Sequence, residues 1–228
     1  MNKILVAFLG AFVFAASVFG GATLSITVKP GDSYTHSILF FKMGPQMAIW
    51  LEDITGKNAG TIYVTKYSAT TYGMKKTPRP SSLPVWRFKG IDPSAPDKKT
   101  DAQSGSATAV DAITAATPQQ EFARQWKVPA DLAPGSYSLF AEVNNSFDYN
   151  ETFQKGLPKT APNFSDVNGQ PSIVWKATVV VGDLPSMGPL TIAGHGQVRG
   201  ENGAIDTAMA AVTTAKTIIS EINFSFEP

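Results

Sequence analysis

Along much of this chain apolar and polar residues alternate with a period of two, the mark of half-buried strands. TLSITVKP, from Thr23, puts Leu24, Ile26 and Val28 on one face and stops at Pro30 and Gly31, which predicts a first strand. SYTHSILFFKM, from Ser33, predicts a second. Residues 47–52 and 61–67 predict a hairpin turned by Thr55, Gly56, Lys57 and Asn58, residue types that tolerate turn geometry. EFARQWKVP sets Phe122, Trp126 and Val128 at apolar positions. The turn at Pro134 and Gly135 then feeds a strand with Tyr137, Leu139, Ala141 and Val143 on one face. The strongest strand pattern is QPSIVWKATVVVG, nearly continuous in Val, Ile, Thr and Trp. The tail alternates through Ile218, Ile222, Phe224 and Phe226, a last strand. Just before it, DTAMAAVTTAKTIISE is rich in Ala, with Asp206 placed as a helix cap; a strand throughout is the competing reading.

Residues 70–120 break this pattern. Prolines 78, 80, 84, 93 and 96 punctuate the stretch, and lysines gather at 75, 76, 98 and 99. Within it LPVWRFKG carries Trp86 and Phe88 at strand spacing, so the stretch reads as a long loop holding one short strand. Long loops on a rigid scaffold carry binding, which makes Trp86 and Phe88 the candidate contact surface; core packing of the same two rings is the alternative. Several short strands with turns between them, and no heptads, repeats or alternating βα units, predict an all-β, Ig-like sandwich.

The ends and the composition then narrow the class. Lys3 precedes sixteen uncharged residues, ILVAFLGAFVFAASVF (4–19), and the small residues Gly20, Gly21 and Ala22 follow. This order predicts a secretory signal peptide over 1–22 and a single domain over 23–228, with no transmembrane span after cleavage. The expected location is the periplasm or the exterior of a bacterium. The 228 residues contain no cysteine, which excludes zinc-thiolate sites, iron–sulfur clusters and cysteine nucleophiles. A net charge of +1, with only 16% charged residues, leaves no basic stripe for nucleic acid.

Candidate chemistry is sparse. The chain has two histidines, His36 within a predicted strand and His195 between two glycines, and neither is flanked by a GxSxG or H-x-x-x-H pattern. No catalytic residues are assigned. Asn144, Asp148 and Asn150, with Asn145 and Glu151, offer oxygen ligands at near-alternate positions but lack the glycine and closing glutamate of a calcium loop; a polar Asx turn is the plainer reading.

One short stretch resembles a modification motif. Asp111-Ala-Ile-Thr114-Ala115-Ala116-Thr117 is similar to the site at which exported flavoproteins receive FMN through a phosphoester bond to threonine. The resemblance implies that Thr117 bears the flavin, with Asp111 and Thr114 as recognition positions. Ala115 stands where the pattern has glycine, and DAQSGSAT from Asp101 has the glycine but one residue too many. The competing reading makes the stretch the entry to the strand that carries Trp126. A broader resemblance runs through WLEDITGKNAGTIYVTKY, LPVWRF, DAITAATP, WKVPADLAPGSYSLFAEVNNSFDYNE and GQPSIVW. It looks like a family of predicted periplasmic proteins of unknown function with an Ig-like or fibronectin-like sandwich. That resemblance implies the company of membrane redox components and FMN transferases; with no base–nucleophile or metal constellation to assemble, the leading expectation is a non-enzymatic exported sandwich that binds a protein partner at the cell envelope. An FMN-carrying electron carrier and a self-assembling surface or filament subunit are the other readings.

Overall fold

The computed structural model describes residues 21–38, 41–65, 79, 81–90, 114–115, 118, 120–165 and 167–228. Most of the predicted signal peptide, together with Asp111 and Thr117, lies outside the described residues. The fold is an all-β sandwich of two sheets. Strands β1 (Thr23–Pro30), β7 (Phe122–Lys127), β10 (Ser186–Pro189) and β12 (Ile219–Glu227) form the small sheet in the order β10-β12-β1-β7. The large sheet has the order β11-β9-β8-β4-β5-β6, from β4 (Gln46–Glu52), β5 (Asn58–Thr65), β6 (Thr114–Ala115), β8 (Gly135–Asn144), β9 (Ile173–Val181) and β11 (Thr191–His195). All neighbours are antiparallel except β5 and β6.

Alternation decides which side chains meet between the sheets. Leu24, Ile26 and Val28 of β1 and Ile222, Phe224 and Phe226 of β12 point inward from the small sheet. Ile49 and Leu51 of β4, Tyr137, Leu139, Ala141 and Val143 of β8, and Val179 and Val181 of β9 answer them from the large sheet. Burying such side chains contributes about 25 cal/mol per Å² of apolar surface and is the main force holding the sheets together. Tyr137 also donates its hydroxyl to the Ala133 carbonyl at 2.7 Å, which ties the loop before β8 to the strand it feeds. This is the arrangement of a tyrosine corner.

The outer face of the large sheet is covered too. Ala48 and Trp50 of β4, Val64 of β5, Phe140 of β8 and Val174 of β9 form a second core with Leu83, Val85 and Trp86. Those three belong to or precede helix α1 (Pro84–Gly90), where the sequence pattern predicts a strand. The reason is partly the docking of this segment on the sheet and partly its own residues. Pro84 opens the helix with its φ already set and no N–H to satisfy, and Arg87 and Lys89 sit in the last turn, where cations suit the helix dipole.

The segment predicted as one strand from Ser33 is instead two, β2 (His36–Ile38) and β3 (Phe41–Met43), paired with each other. The Ala-rich stretch after Asp206 is neither an α-helix nor a strand but two 3₁₀ turns, Met209–Ala211 and Thr214–Thr217. Side chains from elsewhere take the backbone groups a helix would use internally. Gln170 Oε1 accepts the Thr213 N–H at 2.6 Å, and Asn150 Nδ2 donates to the Ala211 carbonyl at 2.9 Å. Asp206 does not cap either turn: its carboxylate accepts the Ala208 N–H at 2.8 Å in an Asx turn, and the residue that precedes Met209–Ala211 is Ala208. No helix among the described residues is long and apolar enough to cross a membrane.

Candidate functional site

The most unusual chemistry lies under α1. Glu142 on β8 points to the outer face of the large sheet, between Phe140 and Asn144, and is fully buried. Its Oε2 accepts the Trp86 N–H at 2.8 Å, and its Oε1 accepts the Val85 N–H at 3.2 Å and the Ser172 hydroxyl at 2.6 Å. Every free donor of the helix's first turn is thereby accounted for. Pro84 has none, Val85 and Trp86 donate to Glu142, and Arg87 N–H closes the first helical bond to the Leu83 carbonyl at 3.0 Å. Burial pushes the Glu142 carboxyl up to about 7, against the pull of Ser172 and the two backbone donors toward the charged form. The lid over this group is close-fitting. A Cβ on Gly196 would lie 2.4 Å from Ser172 Oγ and 3.0 Å from Glu142 Oε1.

His195 stands near this group on β11, buried, but turned to a different task. Its Nδ1 lies 2.8 Å from the Gly196 carbonyl, which only accepts, so Nδ1 carries the proton. Ser172 spends its own proton on Glu142. The geometry is therefore a serine bonded to a carboxylate with an imidazole bonded to backbone, and the base–nucleophile contact that acyl transfer requires is not formed among them. His36 falls in β2, where only the backbone is described.

The contact surface proposed from sequence separates into two environments. Trp86 is 4% exposed, packs in the second core and donates Nε1 to Thr61 Oγ1 at 3.2 Å. It is core, not contact surface. Phe88 is half-buried and lies against Gly203, whose Cβ would come within 2.6 Å of it. Residues two apart on a helix face different ways, so the shared face implied by strand spacing does not exist.

The three weak metal candidates also part company. Asn144 is a buried strand residue opposite Gln46. Asp148 Oδ1 accepts the Thr214 hydroxyl. Asn150 Oδ1 takes the N–H groups of Thr152 and Phe153, each at 2.9 Å, which is the Asx turn of the plainer reading. Among the described residues no cluster of three or more His, Asp or Glu side chains is placed to hold a metal ion.

Of the flavin motif, the backbone of Thr114 and Ala115 is described. It forms β6, with Val64 opposite Thr114 and Thr65 opposite Ala115. The chain then crosses from the large sheet to the small one and enters β7 at Phe122. Pro118, on this crossing, accepts the Tyr34 hydroxyl at 2.7 Å. Beside it the Arg124 guanidinium stacks over the rings of Tyr63 and Phe122, at 4.9 and 5.1 Å. Burial raises the Tyr34 and Tyr63 hydroxyls above the usual phenol range.

Sequence reasoning missed Glu142 and Ser172. One signal was available. MAIWLE and SIVW are apolar on both strand faces, which is how strands covered on both sides read. A glutamate on a strand between two such neighbours is then a buried glutamate. No family model, no curated protein and no solved structure matches this chain.

Proposed function

We propose that the chain is an exported, non-enzymatic β-sandwich of the cell envelope, with a binding or accessory role beside a membrane redox system. One observation carries the non-enzymatic part. The buried carboxylate, the serine and the histidine that catalysis would draw on are each committed to holding the fold, through α1, Glu142 and the Gly196 carbonyl. The export part is supported by the order Lys3, apolar run, Gly20-Gly21-Ala22. The test is fractionation of cells making the chain with a C-terminal tag, followed by N-terminal sequencing. The expected product is in the envelope and begins near Thr23. Full-length chain recovered from the cytosol overturns the reading.

A second reading, an electron carrier with FMN on Thr117, is favoured by the cationic and aromatic group beside the crossing: Tyr34, Tyr63, Phe122 and Arg124. Against it stands Ala115, in an extended strand bonded to β5 where the motif has glycine. Intact mass and visible absorbance of protein made together with an FMN transferase decide between them. An unmodified mass excludes the carrier.

A further inference from the structure

We propose that Arg124 and Tyr63, on the side of the sandwich where β7 faces β5, bind a monocarboxylate carried on an apolar body. Neither functional reading gives this group a ligand, and the site is the same whether or not Thr117 carries a flavin. β7 ends the small sheet, and β5 lies one short strand, β6, from the end of the large one. Phe122, Arg124 and Trp126 alternate along β7 with the exposed Ala123, Gln125 and Lys127, so the three share a face. That face meets β5. Phe122 packs against the Tyr63 ring with centroids 5.8 Å apart, and a Cβ on Gly60 would lie 2.8 Å from the Trp126 ring. Arg124, opposite Ile26 of β1, is thus the one cation in a stripe of aromatic side chains between the sheets.

Two donor groups meet in this stripe without an acceptor. The face of the half-buried Arg124 guanidinium is taken by the Tyr63 and Phe122 rings, at 4.9 and 5.1 Å. What remains is its edge, which carries only N–H donors. Among the described residues that edge makes one long bond, from Nη1 to the Ala123 carbonyl at 3.4 Å, and no carboxylate pairs with it. Tyr63 is 1% exposed, and its hydroxyl has no hydrogen-bond partner among the described residues. Burial keeps the proton on that hydroxyl, and Arg124 pulls the other way, so hydroxyl and guanidinium lie side by side. The neighbouring Tyr34 hydroxyl, by contrast, spends its proton on the Pro118 carbonyl at 2.7 Å. Adjacent unspent donors, one of them charged, describe a site for an anion.

Charge and shape select the anion. One guanidinium and one neutral hydroxyl balance a single negative charge, and a doubly charged phosphate would keep an uncompensated charge against buried rings. A carboxylate carries one charge in a plane, and its two oxygens match the guanidinium edge. Nearby carboxylates of the chain are engaged elsewhere: Glu221 with Lys29 at 3.0 Å, and Glu52 with Lys89 at 3.6 Å. Phe122 and Trp126, half-buried on either side of Arg124, make the surroundings of the carboxylate apolar.

The test uses the chain made without an FMN transferase, so that Thr117 is unmodified whichever functional reading holds. Benzoate is the probe, benzamide its uncharged counterpart and inorganic phosphate the competing anion, all at matched ionic strength. Binding is read by calorimetry and by the shift of the Arg124 Nε–H resonance. Benzoate should bind saturably and move that resonance, and benzamide should do neither. Tyr63→Phe should weaken benzoate binding about tenfold. Its melting temperature without benzoate should be no lower than that of the wild type, since the hydroxyl it removes has no partner among the described residues. Arg124→Lys keeps the charge but not the two-pronged edge and should also weaken binding, with its fold checked by the same melting curve. No benzoate binding, equal binding of benzoate and benzamide, or undiminished affinity in Tyr63→Phe overturns the proposal. Phosphate binding tighter than benzoate assigns the site to phosphate and overturns the carboxylate. A Tyr63→Phe melting temperature well below that of the wild type shows that the hydroxyl is bonded within the fold and overturns the proposal as well.

Discussion

Glu142→Gln tests the least ordinary feature of this fold. The carboxyl has an ordinary value of 4.5 and is held up to about 7 by burial beneath α1. The folded state thus binds this proton more tightly than the unfolded chain does. The resulting stabilisation is fully present below about pH 4.5 and is lost as pH rises through about 7. The rise from 4.5 to about 7, at about 1.4 kcal/mol for each tenfold change in proton affinity, sets its ceiling at about 3–4 kcal/mol. Glutamine keeps the shape but cannot titrate. Its NH₂ group faces the side where Ser172 and the Val85 N–H now donate, and only Ser172 can turn to accept it, so the variant carries a pH-independent penalty of about 1–3 kcal/mol. The informative quantity is therefore the difference in unfolding free energy between wild type and variant, from urea titrations at matched ionic strength. Groups common to both proteins cancel in it. Between about pH 5 and about pH 8 the wild-type advantage should fall by about 2–3 kcal/mol. A difference that stays flat, or grows with pH, refutes the reasoning: the three donors would then outweigh burial and keep Glu142 charged throughout.

Trp86→Ala should cost about 3–5 kcal/mol by thermal or urea unfolding, because it empties the centre of the second core, and a cost near zero would mean that α1 is not docked. Tyr137→Phe removes only the hydroxyl bonded to Ala133 and should cost about 1 kcal/mol in the same assay, with the ring still packed. Gly169 has φ +81°, and a Cβ there would sit 2.3 Å from the Asp148 carbonyl oxygen. Gly169→Ala should therefore destabilise by more than about 1 kcal/mol and raise hydrogen exchange at Asp148 and Gln170, whose N–H groups are bonded in that turn.

The elements legible in the sequence are those whose two faces differ. β1 and β12 alternate because one side meets the core and the other meets water, so Leu24, Ile26 and Val28 announce themselves, as do Ile222, Phe224 and Phe226. β10 and β11 carry no such signal, since SMGP and TIAGH are too short and too rich in Gly and Pro. Helix α1 was illegible for a different reason. Val85, Trp86 and Phe88 favour strands by propensity, and what makes them helical is a carboxylate more than fifty residues away in sequence. The 3₁₀ turns before β12 were misread on the same ground, since the partners of their backbone are Asn150 and Gln170. As for the candidate site, Trp86 and Phe88 were found as a pair, but the backbone that separates them was not. Pattern reading sees interactions along the chain, and these contacts run between distant segments.

That same long-range contact explains why a charge-bearing group is buried here at all. A helix of seven residues does not hold together in water, because too few backbone bonds repay its nucleation. The outer face of the large sheet, with Ala48, Trp50, Val64, Phe140 and Val174, must nonetheless be covered. Apolar contact alone would let a short helix slide or rotate over such a face. Two bonds from one carboxylate to consecutive N–H groups fix both its position along β8 and its rotation, and they put Trp86 over Thr61. Ser172 and Gly196 extend the same lock to β9 and the loop after β11, through the bond to Oε1 and the Gly196 N–H to Ser172 carbonyl bond of 2.9 Å. Loss of this one side chain should thus loosen three segments together: α1, the start of β9 and the loop after His195. Hydrogen exchange that rises in α1 alone in Glu142→Ala would show that the helix is held by its apolar face and that the carboxylate is incidental.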